Sequence, residues 1–228
     1  PDSRHRPQLF RRPLLECRGL VHWWSIVGKR GIVEPEDLID ESEIAALEQR
    51  FGPLLRRDYR LGPGEWGTDF WNDIISGRKN RRGEVVLAIR RPGGRVLLHT
   101  KSFYPPDVYR LPSGGIHWGE PVLDALSREA VEETGLKASL ERCLGIIAYQ
   151  FDREREDLLF VSYVFLLGAF RGRPASQDPG ERISAFRSVP LSALRQTAQA
   201  LRSLPPPWAE WGRFRALAHD LAADALGI

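Results

Sequence analysis

The chain is 228 residues long, enough to bury a full core, and its 42% hydrophobic and 28% charged residues match an ordinary soluble globular protein. Two cysteines, Cys17 and Cys143, make neither a disulfide framework nor a zinc cluster, which points to reduced thiols in a cytoplasmic protein. The net charge of +3 is a mild excess, concentrated in the first thirty residues and in Arg78, Lys79, Arg81 and Arg82. Such runs attract polyphosphate or nucleic acid, or simply form a solvated surface.

In chain order, Glu36 to Phe51 reads as a helix with Ile44, Leu47 and Phe51 on one face, opened by Pro35 and closed by Gly52. Trp23, Trp24, Trp66 and Trp71 suggest that the first 80 residues pack on something. Glu84 to Arg90 reads as a strand, Arg91 to Gly94 as a hairpin turn, and Arg95 to His99 as the returning strand. Pro121 to Thr134 reads as a helix, followed by strands over Cys143 to Phe151 and Leu158 to Phe170. That last run is the longest apolar stretch and too short to cross a bilayer, and no signal peptide is visible behind Arg4 and Arg6. Leu191 to Leu204 is a third helix, stopped by prolines. Trp208, Trp211, Phe214, Leu217 and Leu221 then form an amphipathic stripe, for docking onto the main domain or onto a second subunit of a homodimer. The class is α/β (α+β), divided into an N-terminal extension (1–80), a main domain (81–194) and a C-terminal helical segment (195–228).

The chemistry concentrates between Gly114 and Leu136. Pro121 suits a first helical turn and Gly135 a left-handed cap, so a helix is framed between them. Glu129, Glu132 and Glu133 stand at i, i+3 and i+4 on one side of it. Like charges at that spacing repel, and Arg128 relieves only part of the cost. Three clustered carboxylates are either an acidic solvated face or the oxygen ligands a hard divalent cation needs.

The arrangement Gly114, Glu120, Arg128, Glu129, Glu132, Glu133, Gly135, Leu136 resembles, position for position, the signature box of the Nudix hydrolase family. The resemblance implies a mixed sheet sandwiched between helices. It implies hydrolysis of a pyrophosphate bond in a nucleoside diphosphate linked to another group, with Mg2+ or Mn2+ held by Glu129, Glu132 and Glu133. Arg128 would orient Glu129, Glu120 would support the metal site, and Gly114 and Gly115 would let the backbone approach the pyrophosphate. The catalytic base would come from the box, from Glu132 or Glu133, or from a later loop, where Glu181 is the candidate and Glu154 and Glu156 are alternatives. Tyr104, Tyr109, Arg110 and Trp118 flank the box and could contact a base.

The substrate stays open. Family markers for ADP-ribose and for dinucleoside polyphosphates are replaced by Phe151, Asp152 and Arg153, while Leu97 to Ser102 loosely resembles the upstream element of coenzyme A pyrophosphatases. A non-catalytic nucleotide sensor and an RNA 5′-end pyrophosphohydrolase are the competing functions on the same fold.

Overall fold

Asp40 begins the first described helix by accepting hydrogen bonds on its carboxylate from the N–H of Ser42 (2.8 Å) and Glu43 (3.3 Å). This helix, α1 (Glu41–Phe51), buries Ile44 and Leu47 and closes on Gly52. The expected helix over Glu36 to Phe51 is seen from Glu41 on, after a break at Ile39 and Asp40; Pro35 to Asp37 lie outside the described residues. The computed structural model describes residues 38–61, 81–151, 158–169 and 171–228, all within one compact unit. Trp23, Trp24, Trp66, Trp71, Cys17, Arg78, Lys79, Glu154 and Glu156 lie outside the described residues.

Among the described residues, seven strands build one mixed sheet: β1 (Leu55–Leu61), β2 (Arg81–Arg91), β3 (Arg95–Lys101), β4 (Ser113–His117), β5 (Ser139–Phe151), β6 (Leu158–Gly168) and β7 (Ile183–Pro190). Their order is β1-β5-β6-β2-β3-β7, and β4 pairs with the first half of β2. β1 runs parallel to β5 and β2 parallel to β6, while the other pairs are antiparallel. The hairpin at Arg91 to Gly94 and the two apolar strands fall where the sequence put them. β1, β4 and β7 are additions, and β1 matters most for organisation. Residues assigned to an N-terminal extension supply a helix and an edge strand of the same sheet.

The helix α2 (Val122–Thr134) lies against β4 and β2, with Pro121 in an extended conformation just before it and Gly135 left-handed (φ 62) just after. Pro121 has no side chain able to cap, so a residue of α1 does the work. Glu43 accepts a 2.6 Å hydrogen bond from the Val122 N–H and a 2.8 Å one from Arg82, whose guanidinium also reaches the Leu38 and Glu120 carbonyls. The C-terminal helices, α3 (Leu194–Arg202) and α4 (Ala209–Leu226), complete the layers, with α4 against β5 and β6. The core joins Val86, Leu98, Tyr149, Phe160 and Val164 of the sheet to Phe214 and Leu221 of α4. The amphipathic stripe is thus used inside the chain, with Trp211 and Leu217 half-buried on the same cluster. No helix among the described residues is long and apolar enough to cross a membrane.

Two polar groups pin α4 to the sheet. Arg215 donates to both oxygens of the buried Glu84 at 3.0 and 2.7 Å, and His219 accepts from the Leu111 N–H at 3.1 Å. Burial pushes His219 down to about 4, so its ring is neutral in the fold. The unfolded chain, with histidine near its ordinary value of 6.5, takes up the proton first as pH falls. Stability is therefore present above pH 6.5 and lost towards pH 4, by roughly 3 kcal/mol. Urea unfolding at pH 7 and pH 4.5 checks this: His219→Gln should remove part of the difference between the two pH values, the buried His99 supplying another part, and an unchanged difference would rule His219 out as a source.

Candidate active site

Two clusters meet on α2. The first is organised by Arg128, one helical residue whose planar guanidinium serves four acceptors. Nε and Nη2 donate to the two oxygens of Glu120, both at 2.9 Å. Nη1 donates to Glu129 at 2.7 Å and Glu132 at 3.0 Å, and Nη2 also reaches the Gly115 carbonyl at 2.7 Å. These bonds, those to Glu120 first, hold the guanidinium firmly protonated. Reciprocally, the Arg128 hydrogen bonds and that from the His117 N–H (2.9 Å) lower Glu120 below the usual carboxylate range. The arginine thereby offsets the repulsion that the spacing of the glutamates creates.

The three glutamates are unequal. Glu129 is 5% exposed, Glu133 is 0% exposed, and the Glu132 side chain keeps 40% of its surface in solvent. Burial raises Glu129 even against Arg128. Burial likewise pushes Glu133 up to about 8, against the pull of Arg110 and Lys101. Neither oxygen of Glu133 has a hydrogen-bond partner. A fully buried carboxylate without donors is costly, and such groups call for an explanation.

The second cluster answers from the sheet side. Lys101, at the end of β3, lies 3.9 Å from Glu133 and 2.6 Å from Glu181. Glu181 ends a short 3-10 turn (Pro179–Glu181) that Asp178 caps by accepting from the Gly180 N–H at 2.7 Å. Arg182 then turns left-handed (φ 54) and its carbonyl accepts from the Ser102 N–H, which ties the turn to the end of β3. A residue 48 positions beyond Glu133 in the numbering is brought to one lysine's reach of it.

The glycines of β4 make room for neighbouring side chains. A Cβ on Gly114 would fall 1.8 Å from the Glu129 carboxylate, and one on Gly115 would fall 2.9 Å from Arg81 Cδ. The room they leave is filled by the protein's own charged side chains, from α2 on one face and β2 on the other. Arg110 lies inside the fold. It is 3% exposed and spends its guanidinium on the Tyr104 hydroxyl (2.9 Å), the Leu111 carbonyl (2.7 Å) and Ser113 (3.0 Å). It acts on Glu133 through charge, from behind. Tyr109 lies under the Arg187 guanidinium, 3.9 Å from its ring centre, while Trp118 stands 40% exposed in the loop before α2. Lys101, Arg81, Glu43 and the Glu84–Arg215 pair were not singled out as site residues. Lys101 could have been found from its place just after the buried run Val96 to His99.

Among the described residues, no three acidic, histidine or cysteine side chains converge as a ready-made metal cluster. Arg128 Nη1 stands between Glu129 and Glu132. The donor set nonetheless fits a hard divalent cation: carboxylates on successive turns, one of them buried with both oxygens unengaged. Cys143, by contrast, is buried, and burial pushes its thiol up to about 12, far from reactive.

The family model of the NUDIX domain matches residues 79–211, more than half of the chain, and the chain belongs to that family. It is a pyrophosphohydrolase, acting on acid anhydrides. Among solved structures it is similar to a MutT NUDIX hydrolase from Burkholderia pseudomallei, 29% identical over 60% of this chain and 95% of that one, with a TM-score of 0.39. It is also similar to an ADP-ribose pyrophosphatase from Streptococcus suis (20% identity, 63% and 90% covered, TM-score 0.41). A C. elegans Ap4A hydrolase shows 17% identity over 64% and 98%, with a TM-score of 0.41. No curated protein matches the sequence.

Proposed function

We propose that the chain hydrolyses the pyrophosphate bond of a nucleoside diphosphate linked to another group, with Mg2+ or Mn2+ held by Glu129, Glu132 and Glu133. The observation that carries this reading is Glu133: a fully buried carboxylate with no hydrogen-bond donor, beside Lys101 and Glu181. A bound cation supplies the missing counter-charge, neutralises charge developing on the phosphates and makes water a better nucleophile. The protein's part is positioning. Arg128 holds Glu129 and Glu132 in register and ties them through Gly115 to β4. Glu181 takes the proton of the water that attacks phosphorus, as the opposite phosphate oxygen departs with the bonding electrons. Lys101 fixes the direction of the Glu181 carboxylate by its 2.6 Å contact.

A phosphate-release screen across nucleoside diphosphate derivatives, with Mg2+, with Mn2+ and with a chelator, tests the reading. Metal-dependent turnover of at least one such compound is expected, and folded, metal-binding protein that hydrolyses none of them would sink it. Within an active preparation, Glu181→Gln should lower kcat by roughly 10²–10⁴-fold. A loss under about tenfold would take Glu181 out of the role of base.

A further inference from the structure

Four arginines stand on β2, on α4 or just before β4, and three of them are spoken for. Arg82 is bonded to Glu43 and two carbonyls, Arg110 to Tyr104, Leu111 and Ser113, and Arg215 to Glu84. Arg81 is different. Its Nε is buried without a hydrogen-bond partner, and among the described residues none accepts from its guanidinium. The nearest carboxylate along its own strand, Glu84, already has both oxygens on Arg215 and accepts from Ser162 at 2.8 Å. What Arg81 has is a place: its guanidinium carbon lies 5.7 Å from the centre of the Phe160 ring, and its stem crosses Gly115. A Cβ there would lie 2.9 Å from its Cδ and 3.7 Å from its Nη1. The Gly115 carbonyl is the same one that Arg128 holds, and Glu129 is close enough to act on Arg81 through charge.

Arg81 is half-buried: its Nε is shut off from solvent without an acceptor, and the rest of the guanidinium stays open to one. Its planar fork suits two oxygens of one phosphate better than any point charge does. We propose that Arg81 is a substrate-binding residue whose guanidinium takes a non-bridging phosphate oxygen of the nucleoside diphosphate. Gly114 and Gly115 then admit an acid on one face of β4 and a base on the other, so the strand edge carries both halves of the recognition. This rests on the pyrophosphohydrolase reading of the site, and it also assigns to β2 the polyphosphate attraction that the basic run at 78–82 advertises.

The test uses the full chain, ADP and inorganic pyrophosphate as ligands, and the variants Arg81→Gln and Arg81→Lys. Arg81→Gln keeps the stem over Gly115, so its melting temperature should match the parent. Its affinity for ADP should fall roughly ten- to a hundredfold, with a shallower dependence on salt. KM should rise by a similar factor while kcat stays within about threefold, and Arg81→Lys should recover part of the loss. ADP affinity within twofold of the parent in folded Arg81→Gln would overturn the inference. So would an equal loss for adenosine, which carries no phosphate, or a variant that fails to fold. If the parent turns over no nucleoside diphosphate derivative, the functional reading fails, whereas the ADP comparison still decides Arg81.

Discussion

Glu133→Gln is expected to cut turnover at least about a hundredfold while leaving the protein folded. The activity loss follows from removing the one buried carboxylate among the described residues whose two oxygens make no hydrogen bond. The stability expectation runs the other way from most buried substitutions. Burial holds Glu133 well above the ordinary carboxylate value of 4.5, at about 8. Its favourable contribution is complete below pH 4.5 and is lost as pH rises through 8, where the fold must carry a buried charge that Arg110 and Lys101 offset only in part. Glutamine stays neutral throughout. In the presence of a chelator at pH 9, Glu133→Gln should therefore melt no lower than the parent, and adding Mg2+ should raise the melting temperature of the parent more than that of the variant. Near-parental turnover by the folded variant would remove Glu133 from the reaction, and a lower melting point at pH 9 would show that its charge is compensated by something else.

Arg128→Ala should be costly in both respects. It deletes the donors to Glu120, Glu129, Glu132 and the Gly115 carbonyl together. Glu129 would then be a buried carboxylate without its counter-ion, the situation in which breaking an ion pair costs about 3 kcal/mol or more. For a chain of this size that corresponds to a melting temperature lower by roughly 6–12 °C. Arg128→Lys restores the charge without the fork. It should recover part of the stability and little of the activity, since one ammonium cannot hold both Glu120 oxygens and two further glutamates at once. Calorimetry and kcat on the two variants separate these effects. If lysine restores both, charge alone is what the site requires and the planar geometry carries no weight.

How far the sequence could be read depended on whether a feature was local. The helix α2 was legible because its determinants sit within one segment: glutamates at helical spacing, Pro121 before and Gly135 after. The hairpin and the apolar strands showed for the same reason. β4 did not, because Ser113, Gly114 and Gly115 carry no alternating pattern, and their extended shape comes from pairing with Val86, Val85 and Glu84 on β2. β1 was hidden by Arg56, Arg57, Asp58 and Arg60, charges suited to an edge strand but unlike a core one. Long-range polar pairs were out of reach altogether. Nothing in the residues around Glu84 announces Arg215, and nothing in α1 announces that Glu43 will cap a helix beginning at Val122. Glu181 could be nominated by type and position, but its link to Glu133 through Lys101 exists only once β3 and the turn before β7 are laid side by side.

The helix α2 thus depends at its positive end on a side chain from before the segment that the family model matches, and the free edge of β5 is covered by a strand from the same region. The stretch that carries the family's identity is therefore smaller than the unit that holds itself together. Cut free at its first matched residue, it would present an uncapped helix beside an open row of backbone donors and acceptors, a surface ready to recruit a neighbouring chain. In this protein, heritable recognition and physical self-sufficiency have different borders.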